Sequence, residues 1–140
     1  MNLLEEFKHN IEQEHLFHRN DKLLLAVSGG VDSVVLCELC KQAGYDFVIA
    51  HCNFQLRGAE SERDEHFVKD LGKHYAVEVL VKIFDTNAYA EENKLSIQVA
   101  ARELRYNWFN KILQELKMVW KKGSLNEHPT NVFLLTAHHA

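Results

Sequence analysis

The sequence predicts an α/β protein, a doubly wound parallel sheet with helices on both faces. Three observations predict it. Short continuous apolar runs, such as Leu23-Leu24-Leu25-Ala26-Val27 and Phe47-Val48-Ile49-Ala50, lie between turn residues, and runs of that kind suit strands buried on both faces. Stretches with helical spacing of apolar residues alternate with these runs, which is the pattern of parallel strands joined by crossover helices. Polar residues gather just past the strand ends, at 28–33, 51–53, Asp85 and 138–139, where ligands of open parallel sheets bind.

Taken in order, Leu3, Leu4, Phe7, Ile11 and Leu16 recur at helical spacing and mark an amphipathic helix over residues 2–18. The first strand, 23–27, ends abruptly at Ser28-Gly29-Gly30. A helix follows over 32–43 and stops at Gly44. The second strand runs from Phe47 to Ala50 and on into His51-Cys52-Asn53. A polar loop over 55–60 leads to a helix over 61–75, with Ser61 and Asp64 spaced as a capping pair. Residues 77–84 read as a third strand and 85–93 as a loop. Ile97, Ala100, Leu104, Trp108, Ile112 and Leu116 mark a long helix. Residues 121–131 form a loop with the single proline, Pro129, and 132–137 are a fourth strand.

At 140 residues the chain has room for one domain of ordinary size, large enough to bury a core without disulfides or metal. Its 46% apolar and 26% charged residues give the balance of a soluble globular protein. Cys37, Cys40 and Cys52 are odd in number, and no secretory signal opens the sequence, so a reducing cytoplasm is the expected compartment. No apolar run is long enough to cross a bilayer. The net charge of −4 excludes a chain that traps nucleic acid by overall charge. Any RNA contact needs a local basic patch or another domain.

The segment Ser28-Gly29-Gly30-Val31-Asp32-Ser33, between a buried strand and a helix start, carries the chemistry. Two glycines let the backbone approach an anion and take positive φ angles. The amides and dipole of the following helix favour negative charge, and Ser28 and Ser33 add hydroxyl donors. The blander alternative is a tight turn. It is not a Walker loop, which requires G-x-x-x-x-G-K-[ST], nor the dinucleotide fingerprint G-x-G-x-x-G. It resembles the Ser-Gly-Gly-x-Asp-Ser signature of the PP-loop ATP pyrophosphatases. That resemblance implies a Rossmann-like PP-loop domain that binds ATP and cleaves it between the α and β phosphates, with Ser28, Gly29, Gly30, Val31, Asp32 and Ser33 at the phosphates. Asp32 then serves as a Mg²⁺ ligand, since a carboxylate beside a triphosphate is tolerable chiefly with a cation between them. Its alternative is a helix-start carboxylate.

Three more segments resemble the lysidine synthetase family within that superfamily. They are His51-Cys52-Asn53-Phe54-Gln55-Leu56-Arg57-Gly58 with Ser61, Asp64 and Glu65, then Ala100-Ala101-Arg102-Glu103-Leu104-Arg105-Tyr106, then Thr136-Ala137-His138-His139-Ala140. With the loop, these motifs span residues 28–140 in the family's order. The resemblance implies adenylation of the 2-position carbonyl oxygen of the wobble cytidine of tRNA(Ile), followed by attack of free lysine. It implies catalytic roles for Asp32, Arg105 and Arg102, the arginines lying nearly on one helix face to stabilise charge on the α-phosphate. It implies nucleotide contacts for His51, Asn53, Arg57 and His138. Each of these has a plainer alternative: a solvated or salt-bridged helical arginine, a simple loop arginine, polar groups satisfying the backbone. Phe54 departs from the family, which often has a second histidine there.

In that family a pair of aspartates follows the Ala-His-His segment, so the resemblance implies a domain incomplete at its C-terminus, with the tRNA-binding domains elsewhere. The anticodon loop of tRNA(Ile) would then be held mainly by those domains, and this piece alone would bind ATP weakly and make no lysidine. The oligomeric state stays open, a homodimer included. Other readings remain. Cys37-x-x-Cys40 suggests a tRNA thiolase, although among Val34, Val35, Leu36 and Leu39 the two cysteines suit apolar packing. His138 and His139, adjacent on a strand, point to opposite faces and do not easily share a zinc ion. A catalytically inactive ATP-binding module is the remaining class.

Overall fold

The computed structural model describes Leu3, Glu5 and residues 21–123 and 132–136. Leu3 and Glu5 are helical; the rest of the helix expected over 2–18 lies outside the described residues. The elements are β1 (Lys22–Ala26), α1 (Val31–Gln42), β2 (Asp46–Asn53), α2 (Ala59–Tyr75), β3 (Val79–Ile83), α3 (Thr86–Asn93), α4 (Ile97–Gly123) and β4 (Val132–Thr136).

The strands form one parallel sheet in the order β3-β2-β1-β4. Chain order runs outward from β1 to β3, then jumps back to place β4 on the other side of β1. The crevice between β1 and β4 is therefore the switch point where open α/β sheets bind ligands. The register sets Ala26 beside both Ala50 and Thr136, so β1 and β4 end together while β2 runs on to Asn53.

The unbroken apolar run of β1 has its reason in this position. Leu23, Leu25 and Val27 belong to a core with Phe47 and Ile49 of β2, Cys37 and Cys40 of α1, and Val68, Leu71 and Tyr75 of α2. Leu24 and Ala26 belong to a second core with Ala50 and with Phe109 and Ile112 of α4. Strand residues alternate between faces, so a central strand covered on both must be apolar throughout. Leu23, Leu24 and Leu25 are fully buried, worth about 1.5–3 kcal/mol each. Cys37 and Cys40 sit wholly inside the first core, where burial pushes both thiols up to about 12. They pack as small apolar residues, in keeping with that alternative.

Two local expectations need correction. Residues 86–93, expected as loop, form α3, and Asp85 caps it by accepting from the Ala88 amide at 3.1 Å. The sequence TNAYAEEN lacks an apolar stripe, and the helix owes its place to packing on α4. Helix α2 starts at Ala59 with Gly58 as its N-cap and no side-chain cap. Ser61 does not cap it; its hydroxyl accepts from the Arg57 amide at 3.1 Å. Among the described residues no helix is long and apolar enough to cross a membrane.

Candidate functional site

A cavity of about 340 Å³ opens at the carboxyl ends of the strands, within the range of roughly 300–1,000 Å³ common for small-molecule sites. Ala26 of β1 and Val27 just after it, Ala50 to Asn53 of β2 and Thr136 of β4 form its floor. Ser28 and Ser33 stand on one side, and Arg105 and Phe109 of α4 on the other. The outer wall comes from Phe54, Leu56 and Arg57, with Ser61 and Asp64 of α2 behind them.

The loop over 28–33 is drawn tight by its own serines. The Ser28 amide donates to Ser33 Oγ at 3.2 Å, and the two hydroxyls lie 3.3 Å apart. Gly29 takes a φ of 92°, where a side chain is strained, and a Cβ there would lie 3.2 Å from Asp64 Oδ1. Gly30 differs from the expectation of two positive φ angles: at φ −81° it is the extended N-cap of α1. No side chain caps that helix, so its first-turn amides are not spent on a capping oxygen. The site thus keeps the positive end of a helix dipole beside two hydroxyls. Gly29, Gly30, Val31 and Asp32 flank the cavity without lining it. Val31 is 79% exposed and Asp32 is exposed in the first turn of α1.

The structure brings His51 and Asn53 to the floor, with His51 Nδ1 and the Asn53 amide bonded to the scaffold. His51 is buried, and its Nδ1 lies 2.7 Å from the Val27 carbonyl. A carbonyl only accepts, so Nδ1 carries the proton. This bond ties the end of β2 to the residue before Ser28. Asn53 is 1% exposed. Its Nδ2 donates to Glu65 Oε1 at 3.2 Å and Glu62 Oε1 at 3.4 Å, and its Oδ1 accepts from the Gln55 amide at 3.0 Å. Burial pushes the Glu65 carboxyl up, but hydrogen bonds from Asn53 and Lys69 and the nearby Lys69 and His51 charges outweigh it, and the net shift is downward.

The arginines separate. Arg57 reaches the cavity wall but is paired with Glu60 and, at 3.7 Å, with Asp64. Arg105 lines the cavity with its guanidinium 5.4 Å from the centroid of the Phe109 ring, and no ion pair holds it among the described residues. Arg102 is exposed and outside the wall, because three residues along a helix leave a rotation of about 60°. Cys52, half-buried beside Arg105, has its thiol pushed up to about 12 by burial, which outweighs the opposing arginine charge. His138 lies outside the described residues. The apolar parts of the wall, Leu56 and Phe109 above all, were not expected; composition offers no signal separating a wall leucine from a core one.

A family model of the PP-loop domain matches residues 2–140. The chain belongs to the PP-loop domain family. Within it, the chain is 55% identical over 105 residues to a tRNA(Ile)-lysidine synthase of Bacteroides thetaiotaomicron, covering 75% of this chain and 25% of that protein. A tRNA(Ile)-lysidine synthase of Porphyromonas gingivalis is 44% identical over 117 residues, covering 83% and 26%. The PP-loop chain thus spans about a quarter of the length of the curated relatives it matches. An NH3-dependent NAD synthetase from Campylobacter jejuni shares the fold, with a TM-score of 0.56, 17% identity and coverage of 83% of this chain and 51% of that one.

The residues of the PP-loop cavity suit a nucleotide: Gly29 leaves the space a Cβ would take, the helix end and serines offer donors of the kind an anion needs, and Arg105 supplies a cation in the wall. A metal ion held by protein alone is a different matter. Among the described residues no three His, Cys, Asp or Glu side chains could hold one. One or two carboxylates suffice for Mg²⁺ when phosphates supply the other ligands.

Proposed function

We propose that this PP-loop chain is the ATP-binding part of a tRNA(Ile)-lysidine synthase, a ligase that forms a carbon–nitrogen bond in the cytoplasm. The observation that carries it is the opposition of Ser28 and Ser33 to Arg105 across one cavity at the sheet's switch point. Triphosphate laid on the amides of α1 would turn its α-phosphate toward Arg105, whose charge stabilises the negative charge that builds there during attack. When bound, ATP with Mg²⁺ would supply the activated phosphoryl group, and Asp32, in the first turn of α1 beside the cavity, would share the cation.

The cytidine 2-carbonyl oxygen bonds to the α-phosphorus and the α–β bridge breaks, releasing pyrophosphate. The lysine amine then bonds to the same ring carbon, loses a proton, and AMP departs with the oxygen. Each step needs the groups aligned and water kept from them, which the apolar side chains Phe54, Leu56 and Phe109 in the wall favour. Recognition of the tRNA anticodon loop falls to parts of the protein beyond this chain, in keeping with its net charge of −4.

The test is incubation of the full-length protein with α-labelled ATP, lysine and tRNA(Ile), beside Asp32→Ala and Arg105→Ala. tRNA-dependent AMP release with lysine joined to the tRNA, and loss of both in the variants, is the expected result. AMP release with sulfur in place of lysine would move the assignment to a thiolase. ATP binding without AMP release would leave an inactive module.

A further inference from the structure

The outer wall of the cavity, formed by Phe54, Leu56 and Arg57, is held by a chain of contacts that starts at Glu65 of α2, outside the cavity lining. Gln55 takes a φ of 54°, the left-handed region that residues other than glycine adopt at a cost. Asn53 Oδ1 holds it there by accepting from the Gln55 amide at 3.0 Å. Around this turn, Thr86 Oγ1 donates to the Phe54 carbonyl at 2.8 Å, and the Phe54 ring stacks on Phe84 with centroids 5.6 Å apart.

The turn depends on which way the Asn53 amide faces. Only its oxygen can accept from Gln55, so its NH₂ must point toward α2. There Glu65 Oε1 accepts at 3.2 Å, and the more distant Glu62 Oε1 at 3.4 Å. An ionised carboxylate has no proton to give and therefore selects the NH₂ end. Glu65 is 7% exposed, and its second oxygen accepts from Lys69 Nζ at 3.1 Å, so the carboxylate is buried, charged and unable to turn away.

We propose that Glu65 is a positioning residue for the nucleotide: by fixing the Asn53 amide it sets the Gln55 turn, and with it the wall formed by Phe54, Leu56 and Arg57. The role rests on the nucleotide reading of the cavity, and neither Glu65 nor Asn53 need touch the ligand. Because the Asn53–Glu65 bond runs from amide to carboxylate, it can be reversed. The double variant Asn53→Asp/Glu65→Gln places the amide on α2 and the carboxylate on β2, and the introduced carboxylate still accepts from the Gln55 amide.

The experiment titrates the intact protein with α,β-methylene-ATP and Mg²⁺ by calorimetry, and follows hydrogen exchange at the Gln55 amide. Asn53→Asp and Glu65→Gln are each expected to weaken binding and speed Gln55 exchange by about tenfold. The double variant is expected to restore both to within about twofold of the parent. In turnover, the single variants are expected to raise KM for ATP with kcat held. Unchanged single variants, or a double variant no better than the worse single one, would overturn the proposal. If the parent itself fails to bind the analogue, the nucleotide reading falls, while Gln55 exchange still decides the role of Glu65 in the turn. If Asn53→Asp does not fold, Glu65→Gln decides alone: unchanged affinity and exchange overturn the proposal.

Discussion

The Tyr75 hydroxyl donates to Glu38 Oε2 at 2.5 Å, joining α2 to α1 across the first core. The Tyr75 bond, with a second from Gln42, lowers the Glu38 carboxyl below its usual range. Burial and the Glu38 bond push the Tyr75 phenol up. A depressed carboxyl stabilises the fold above its unfolded pKa of about 4.3 and loses that contribution as pH falls through the folded value. A raised phenol stabilises below its unfolded pKa of about 10 and loses it as pH rises further. Tyr75→Phe is therefore expected to lower Tm most between about pH 5 and pH 9, with the gap from the parent closing on both sides. A Tm difference that is constant with pH would show that the pair does not titrate with folding.

Gly72 of α2 lies so close to β3 that a Cβ on it would meet Val79 Cγ2 at 2.1 Å. Alanine ordinarily gains about 1 kcal/mol over glycine inside a helix, but forcing α2 off the sheet costs about 1–3 kcal/mol. Gly72→Ala is expected to destabilise in urea unfolding, and adding Val79→Ala to recover part of the loss. A stabilised single variant would show that α2 can shift freely.

Thiol chemistry should follow burial. With Cys37 and Cys40 raised from 9.0 to about 12, the thiolate fraction at neutral pH falls about a thousandfold. Iodoacetamide at pH 8 is expected to leave both unmodified in the folded protein. Cys52, raised as far but half-buried in the cavity floor, is expected to react slowly and to be protected further by α,β-methylene-ATP. Rapid labelling of Cys37 or Cys40 would contradict the packing described.

The two helical arginines should behave differently. Arg105→Ala removes the cation of the cavity that carries no ion pair among the described residues, and is expected to weaken α,β-methylene-ATP binding by at least tenfold, about 1.4 kcal/mol. Arg102→Ala is expected to change that affinity less than twofold, because surface substitutions rarely exceed about 0.5 kcal/mol. Equal losses would place both guanidinium groups at the phosphates.

Gly29→Ala is expected to abolish analogue binding while the protein stays folded, since the change strains a φ of 92° and crowds Asp64. Circular dichroism beside calorimetry separates the two effects. Retained binding would mean the loop has slack that the serine contacts do not suggest.

By itself the sequence determined the strands, the parallel sheet and the loop at the end of β1. The apolar runs of β1 and β2 suit strands covered on both faces, and Ser28 to Ser33 are chemically suited to an anion wherever a helix starts behind them. Burial patterns and turn residues are local properties, so they are written along the chain. What the tertiary structure alone decided is how each polar group is used. His51 and Asn53, read as nucleotide contacts, line the cavity while bonding to Val27, 24 residues away, and Glu65, 12 away. Arg57 is turned onto Glu60 and Asp64, Arg105 into the cavity and Arg102 out of it. Helix α3, with no apolar stripe of its own, forms where α4 gives it a surface. A hydrogen bond or ion pair depends on which partner packing brings within about 3 Å, and no spacing along the chain records that choice.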